Sequence, residues 1–433
     1  MGAKTRKLSN ITDSLIEWQS VVVADGSTGL TAVAGRGYFI NTTAGAITVT
    51  LPASPKAGDI VQLKDYARTW GTNNVTIAST LFDGSTNTAT FSTNGQTVTL
   101  VYMDGTKGWS LINEDTTTGL GQSFISATGG TVTTSGNFKI HTFTGDGSFV
   151  VSSLGNNIPC AQASTVDYLV VAGGGGGGAG STPAHAAGGG GAGGFREGKD
   201  STLASPHTAS PIAATTGLTI TATTYPVTVG AGGPGGPGCA LCQAVDGSNS
   251  VFSTITSTGG GGGSGSAYSP PGIKMNGRAG GSGGGGSSQG PTTGGAGNTP
   301  PTSPSQGFPG GTGTDAPPDT RAGGGGGATQ AGSAGVANTN SGPGGNGATT
   351  SISGTPTTYA GGGGGGESGP AAQQAAGTGG SGGGGAGGST GNPGTAGTAN
   401  TGGGSGGGKG GPPVGTGGNS GGKGIVIIRY RYQ

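Results

Sequence analysis

Tyr168-Leu169-Val170-Val171-Ala172-Gly173-Gly174-Gly175-Gly176-Gly177-Gly178 opens as an apolar strand and ends as six consecutive glycines. Glycine runs return at Gly188–Gly191, Gly259–Gly263, Gly283–Gly286, Gly323–Gly327, Gly361–Gly366, Gly382–Gly385 and Gly406–Gly408. Between Gly260 and Lys423 the large apolar residues are Tyr268, Ile273, Met275, Phe308, Val336, Ile352, Tyr359 and Val414, too few for a side-chain core. Across all 433 residues there are 109 glycines and 24 prolines, with 30% hydrophobic and 5% aromatic residues, which excludes an enzyme-sized core for most of the chain.

Two readings of the runs compete. As a low-complexity tail they stay disordered, because they bury nothing. As ordered elements they need free energy from somewhere other than side chains. Fixing each glycine costs about 1–2 kcal/mol of backbone entropy, against about 0.5–1.5 kcal/mol returned by one net hydrogen bond. A lone extended run would melt. A lattice of left-handed threefold helices meets the requirement, because backbones without Cβ atoms approach on every side and bond through N–H, C=O and Cα–H. Six residues at about 3.1 Å each span about 19 Å, one layer, with Pro-, Ser-, Thr- and Asn-rich pieces as connecting loops. No strict Gly-X-Y period is kept, which excludes collagen. The lattice is the expectation carried forward. It predicts that valine inside Gly361–Gly366 or Gly323–Gly327 is ruinous, while serine at a loop glycine such as Gly307 is tolerated.

The chain before the runs has a different composition. Residues 1–117 hold all three tryptophans, Trp18, Trp70 and Trp109. Val21–Val23, Ile47–Leu51, Ile60–Leu63 and Val98–Val101 are short β-rich segments separated by Gly, Pro, Asn and Asp. Asn94-Gly95 predicts a hairpin between Thr88–Phe91 and Thr97–Met103, and Asp104-Gly105 a turn into Trp109–Ile112. Asp146-Gly147 predicts a second hairpin, Phe138–Phe143 with Ser148–Val151. Only Leu8 to Trp18 carries a helical period. The expected organisation is an anchoring segment 1–18, a β-rich module 19–117, a small second β unit 118–165 and a glycine-rich domain 166–433. The expected fold class is all-β modules followed by packed polyglycine-II helices without significant α-helix.

Charge and motifs exclude several functions. Lys and Arg number 18 against 17 Asp and Glu, and the one basic run is Lys4 to Lys7, so nucleic acid is not an expected partner. No run of 18 apolar residues occurs, and membrane insertion is not expected. The basic start lacks an apolar export segment, and Arg6 stands where myristoylation needs Ser or Thr. Three cysteines (Cys160, Cys239, Cys242) fit folding in a reducing cytoplasm. Gly173-x-Gly175-x-x-Gly178 follows a strand but leads into more glycine instead of a helix, so it is not a dinucleotide fingerprint. Gly410 and Gly424 stand where a phosphate loop needs a hydroxyl. Cys239-Ala240-Leu241-Cys242 is half a zinc site that His185 or His207 could complete, yet without a second pair it reads as two loop thiols, metal-bound, disulfide-linked or free. His141 reads as a surface residue of its strand. Asp315 and Asp319 read as solvating a proline-rich loop. No catalytic set, cofactor site or metal site is expected, and the chain is read as non-enzymatic.

Tyr168–Gly175, Gly188–Phe195, Tyr225-Pro226-Val227-Thr228-Val229-Gly230 and Gly424–Tyr430 together resemble the glycine-rich domains of bacteriophage fibre proteins and adhesins, over about residues 138–433. Tyr38–Thr43 through Leu51–Asp59 resembles the β modules of phage fibres. The resemblance implies a polyglycine-II sandwich with variable loops at its tip, on a virion protein made in the host cytoplasm. It also implies a homotrimer joined through the N-terminal β modules, for which the short strands of 19–117 give a second reason: they cannot cover both faces in a monomer. Residues 1–18 would bind other virion proteins, and the loops a host glycan or outer-membrane protein. A purely structural virion decoration or filament subunit is the alternative. Ice binding would need aligned threonine rows at a regular Gly-X-X spacing, which the runs lack. Selectivity must come from what interrupts the runs, and the candidate contacts are Tyr268, Arg278, Phe308, Asp315, Arg321 and Tyr359.

Overall fold

A computed structural model describes residues 16–79, 81–84, 88–112, 124–155, 164–182, 185–201, 205–237, 243–266, 275–289, 292–315, 320–337, 339–368, 375–390, 392–411 and 416–432. Every regular element among them is a β-strand. The chain divides into two compact units, Met1–Phe124 with Gly155–Ala163, and Ile125–Leu154 with Ser164–Gln433.

The first unit is built from β1 (Glu17–Trp18), β2 (Val22–Val23), β3 (Leu30–Thr31), β4 (Arg36–Asn41), β5 (Ile47–Thr50), β6 (Ile60–Asp65), β7 (Val75–Ala78), β8 (Ala89–Phe91), β9 (Thr97–Asp104) and β10 (Gly108–Leu111). From β2 to β7 the chain winds alternately between two sheets. Strands β2, β4 and β6 stack in parallel in one, with Val22 beside Ile40 and Ile40 beside Asp65. Strands β3, β5 and β7 stack in parallel in the other, with Leu30 beside Val49 and Val49 beside Ile77. Apolar-Thr alternation sets the register: Ile47 and Val49 point inward while Thr48 and Thr50 face solvent. The two inner faces bury Ile40, Val49, Leu63, Trp70, Ile77, Phe91 and Leu100 against one another.

The turn at Asp104-Gly105 forms as read, joining β9 to β10. The hairpin about Asn94-Gly95 does not: β8 pairs with β7 in one sheet, and β9 with β6 in the other. Its turn residues serve other partners. The Asn94 side-chain oxygen accepts the Gly71 N–H at 2.7 Å, and the Gly95 N–H donates to the buried Asp65 carboxylate at 2.8 Å. A corner fixed this way hands the chain from sheet to sheet.

The second unit contains β11 (Ser126–Thr128), β12 (Thr131–Ser135), β13 (Phe138–Phe143), β14 (Gly147–Ser153), β15 (Thr165–Val171), β16 (Phe195–Gly198), β17 (Leu218–Thr219), β18 (Thr224–Thr228), β19 (Ser250–Phe252), β20 (Ile255–Ser257), β21 (Ala348–Thr350), β22 (Thr357–Tyr359) and β23 (Ile425–Arg431). One sheet has the order β11-β14-β18-β19-β20, a second β12-β13-β23-β15-β16 with β17 also on β15, and β21 and β22 pair by themselves. The second expected hairpin is also split, since β13 pairs with β12 and β23 while β14 pairs with β11 and β18. Here the Asp146 carboxylate accepts the N–H of Val229 at 2.9 Å instead of closing its own turn. His141 is buried, not exposed. Its Nδ1 lies 2.7 Å from the Gly129 carbonyl and its Nε2 3.0 Å from the Tyr430 hydroxyl, and burial pushes its pKa down.

Strand β15 is buried on both faces. Val166, Tyr168 and Val170 pack with Phe149, Phe252, Val426 and Ile428 between the sheets, while Leu169 and Val171 pack with Ile140, Phe195, Ile352, Ile425 and Ile427 on the other side. From β15 the chain runs straight into the glycines.

Those glycines form a lattice. N–H groups of residues 173 and 176 donate to carbonyls of 248 and 245, those of 174 and 177 to 422 and 419, and those of 175 and 178 to 191 and 188. A partner that returns every third residue is the signature of a threefold helix, and three falling series mean three antiparallel neighbours. Carbonyls of the same run accept from 260 and 263, from 233 and 236, and from 405 and 408, three parallel neighbours. One run of glycine thus has six neighbours, a hexagonal packing in which every peptide group is paired within the backbone. Residues 187–194, 322–328 and 360–367 are enclosed in the same way.

At the lattice glycines the spacing has no room for a side chain, and the few enclosed non-glycine residues, such as Ala192 and Ser405, are small. A Cβ built on any glycine from Gly361 to Gly366 lands on a neighbouring backbone carbonyl. Helices at the lattice surface escape this constraint once per turn: Ala231, Pro234 and Pro237 are exposed while the paired glycines between them face inward, and Ala375, Thr378 and Ser381 are exposed while Ala376, Gly377, Gly379 and Gly380 between them are more buried. Gly307 is not a permissive loop position, because a Cβ there meets the Ser282 hydroxyl and the Gly281 carbonyl.

Candidate functional site

Strands β15, β16, β18, β19, β20, β22 and β23 all meet the glycine helices at one end of the lattice, because each strand continues directly into or out of a run. Runs that leave the sheets return from the opposite, far end. There Ser181 and His185 exchange N–H···O bonds of 2.9 and 3.1 Å, Thr314 and Arg321 of 2.7 and 2.9 Å, and Ser389 and Asn392 of 2.9 and 3.0 Å. Ser368 bridges to Gly410 beside them. The far end is consequently where loop sequence is free of the lattice's demand for glycine.

The candidate contacts scatter over this body. Asp315 is exposed at the far end. Arg321 is at the same end but buried: its Nε donates to the Thr339 carbonyl at 2.9 Å and its Nη1 to the carbonyls of Thr320 and Ser368 at 2.7 and 3.3 Å. It ties far-end segments together and is not a surface contact. Arg278 lies midway along the lattice, where Nε and Nη2 each donate to the Asp246 carboxylate at 2.7 Å. Phe308 is level with Gly283 and Gly327, near the sheets, and partly exposed. Tyr359 ends β22 and is buried against Ile352, so it too is no surface contact. Tyr268, Cys239 and Cys242 lie outside the described residues. His185 and His207, the alternative partners for a zinc site at Cys239 and Cys242, are at opposite ends of the lattice, and among the described residues no group of three His, Cys, Asp or Glu is placed to hold a metal.

A second polar constellation escaped the sequence reading. Asp167, Glu197 and Arg429 project from β15, β16 and β23, with Asp167 directly opposite Arg429. Ser205, His207 and Ser210 cover them. His207 sits between two carboxylates, with Nδ1 3.6 Å from Asp167 Oδ2 and Nε2 4.0 Å from Glu197 Oε1, all fully buried. Glu197 accepts the Ser210 N–H at 2.9 Å and the Thr350 hydroxyl at 2.5 Å, and Asp167 accepts the Asp200 N–H at 2.9 Å. Lys199 Nζ donates to the His207 carbonyl at 2.5 Å. Ser205 Oγ lies 2.9 Å from His207 Nδ1, the nitrogen that also faces Asp167. A nucleophilic triad needs a carboxylate hydrogen-bonded to the ring nitrogen opposite the serine; Glu197 faces Nε2 from 4.0 Å, beyond hydrogen-bond reach, and every member is buried, so this geometry reads as a structural knot. The signal in the sequence was a charge set among the apolar residues of two strands, Val166-Asp167-Tyr168 and Ile428-Arg429-Tyr430; Glu197, beside Arg196 in a four-residue strand, gave none.

The sequence pattern of the glycine-rich domain family matches residues 144–431. The chain belongs to that glycine-rich domain family. No curated protein matches the chain.

In the glycine-rich domain the buried knot carries a pH signature. Burial, then the charges of Arg429 and Lys199, push the His207 pKa down to about 3, and burial raises Asp167 to about 6. A histidine whose folded pKa is depressed contributes stability that is complete above about pH 6.5 and is lost as pH falls through about 3. A raised aspartate works in the opposite sense between about pH 6 and 4. Replacing His207 by glutamine removes the first effect only. The stability advantage of wild type over H207Q is expected to be largest above pH 6.5 and to shrink by on the order of 1 kcal/mol per pH unit on acidification. Denaturant melts of both proteins from pH 8 to 4 check this: a constant difference would show that His207 titrates alike in the folded and unfolded chain, and an advantage that grows on acidification that it is charged in the fold.

Proposed function

We propose that the protein is a non-enzymatic structural fibre or adhesin of a phage virion, in which the glycine-rich domain is a rigid carrier that presents its far end to the host surface. The observation that supports this reading is the separation of roles along the lattice axis. Sheets and side-chain cores occupy one end, where runs also reverse at 298–307, 328–331 and 398–402, a backbone-bonded body without recognition chemistry fills the middle, and the crossings at Ser181 and His185, Thr314 and Arg321, and Ser389 and Asn392 form the other end, which among the described residues has no sheet beside it. A surface of bare glycine offers nothing with which to discriminate partners, whereas a cluster of loops on a stiff body does so with little ordering cost on binding. The partner class that suits exposed loops of this polarity is a glycan or an outer-membrane protein. Residues 1–18 would connect the chain to other virion proteins.

The test blocks one end at a time. In a background with Cys160, Cys239 and Cys242 replaced by serine, Asn392→Cys places a single thiol at the far end, and Thr355→Cys places one between β21 and β22 at the sheet end. Each assembled particle is conjugated to a bulky polymer. Conjugation at 392 should abolish adsorption to host cells, and conjugation at 355 should leave it unchanged. Normal adsorption with both positions blocked would favour a purely structural decoration.

A further inference from the structure

The two outer faces of the N-terminal unit differ in kind. Outside the β3-β5-β7-β8 sheet, the laterally paired residues are Thr31 with Thr50, Thr48 with Thr76 and Thr76 with Thr90, a hydroxyl-coated surface made for water. Outside the other sheet the paired centre is mixed, with Phe39 beside Lys64 and Gln62 bonded to Thr99, and large apolar residues stand around it. Trp18 stacks on Phe39 with ring centroids 4.5 Å apart, and Trp18 is 41% exposed, Val23 65%, Tyr66 58%, Met103 49% and Ile112 57%. All lie on one face. Tyr38 and Ile40 point into the core, so Phe39 points out, and the same alternation puts Tyr66 outside buried Asp65, Met103 outside inward-packed Tyr102, and Ile112 outside buried Leu111. Val23 pairs with Asn41, the next outward residue after Phe39.

We propose that this face packs against the same face of a second copy of the chain. Four strand spacings of about 4.8 Å and six residues of about 3.3 Å make it roughly 20 Å in each direction. A single strand would cover a stripe about 5 Å wide and a helix about 10 Å, so its breadth suits another sheet. Its charge suits a copy of itself. Lys64, in the middle of the face, donates to the Gly95 carbonyl at 2.6 Å and is drawn to the margin, leaving no like charges to oppose when two such faces meet. Two twisted sheets stacked about 10 Å apart would interdigitate Trp18, Phe39 and Ile112 with their counterparts, as sheets do in a sandwich. The expectation from the sequence is a homotrimer through this module; a face that packs on its own copy closes as a two-fold dimer instead, and the aromatic outer face is the one left uncovered, since the inner faces cover each other within one chain.

Sedimentation of the full-length protein at micromolar concentration tests this, with Val23→Glu/Ile112→Glu as the disrupting variant and Thr48→Glu, on the threonine face, as its control. Wild type and T48E should sediment at twice the single-chain mass. The double variant should sediment as one chain, its association weakened at least about a hundredfold, with an unchanged melting temperature because both positions are solvent-facing within the chain. Trp18 fluorescence should shift to the red in parallel. A wild-type protein of single-chain mass, or a double variant that still associates, would overturn the proposal; in the first case a segment of the same chain covers the face, and in the second the copies meet elsewhere.

Discussion

Valine in place of Gly363 is expected to unfold the glycine-rich domain, although it adds only three carbon atoms to a chain of 433 residues. The Cβ would fall on the carbonyl oxygen of Ser405, with the Ser405 carbonyl carbon and the Gly406 nitrogen behind it. None of these atoms belongs to a side chain that could rotate away. They are backbone of a helix that itself has six neighbours, so a local shift must propagate through the lattice. Overpacking a side-chain core typically costs about 1–3 kcal/mol because rotamers relax. Here no rotamers exist, and a loss of about 5 kcal/mol or more is expected, at the extreme of what single substitutions do. Calorimetry of G363V should show the transition of the glycine-rich unit lost or moved down by many degrees, while that of the N-terminal unit, which has its own core of Trp70, Phe91 and Leu100, remains. Gly145→Val is the control, since the nearest atom to a Cβ there is the mobile Lys423 ammonium at 3.6 Å. Equal melting of G363V and wild type would mean that the runs are linkers.

The lattice was legible because its chemistry is written in composition. Uninterrupted runs such as Gly173–Gly178, Gly323–Gly327 and Gly361–Gly366 are the helices with neighbours on all sides, whereas Gly-Gly-X stretches such as Gly232-Gly233-Pro234-Gly235-Gly236-Pro237 are surface helices that show solvent one residue per turn. Run length therefore reports depth. Short-range turn signals misled for a definite reason. Asn94 and Asp146 have the side-chain acceptors that close tight hairpins, but each is used on a distant N–H, of Gly71 and Val229, and strands adjacent in sequence part into different sheets. Nothing local distinguishes an acceptor that serves its own turn from one that serves another loop.

The candidate contacts were chosen as the scarce large side chains among glycines, and scarcity has two opposite causes. Arg321 and Tyr359 are rare because a closed lattice has few places for them, and both are tucked into such places. Asp315 is at the far end because loops tolerate it. Composition does not separate the two, since burial here depends on which run a residue terminates. The charged knot was missed for a related reason: Asp167, Glu197 and Arg429 are more than 200 residues apart at their widest, and only the return of β23 between β13 and β15 brings them together.

Amide hydrogen exchange on the intact native protein tests the backbone lattice most directly. The N–H groups of Gly174, Gly175, Gly176 and Gly177 donate to Gly422, Gly191, Val245 and Asn419 on three different neighbours, so no fraying of a single contact frees them together. Their exchange should require opening of the whole unit. Peptides covering 173–178 and 361–366 are predicted to exchange as slowly as Val426–Ile428 in β23, orders of magnitude below the rate of an unstructured glycine chain. Full exchange of those glycines within seconds, while β23 stays protected, would contradict the lattice outright.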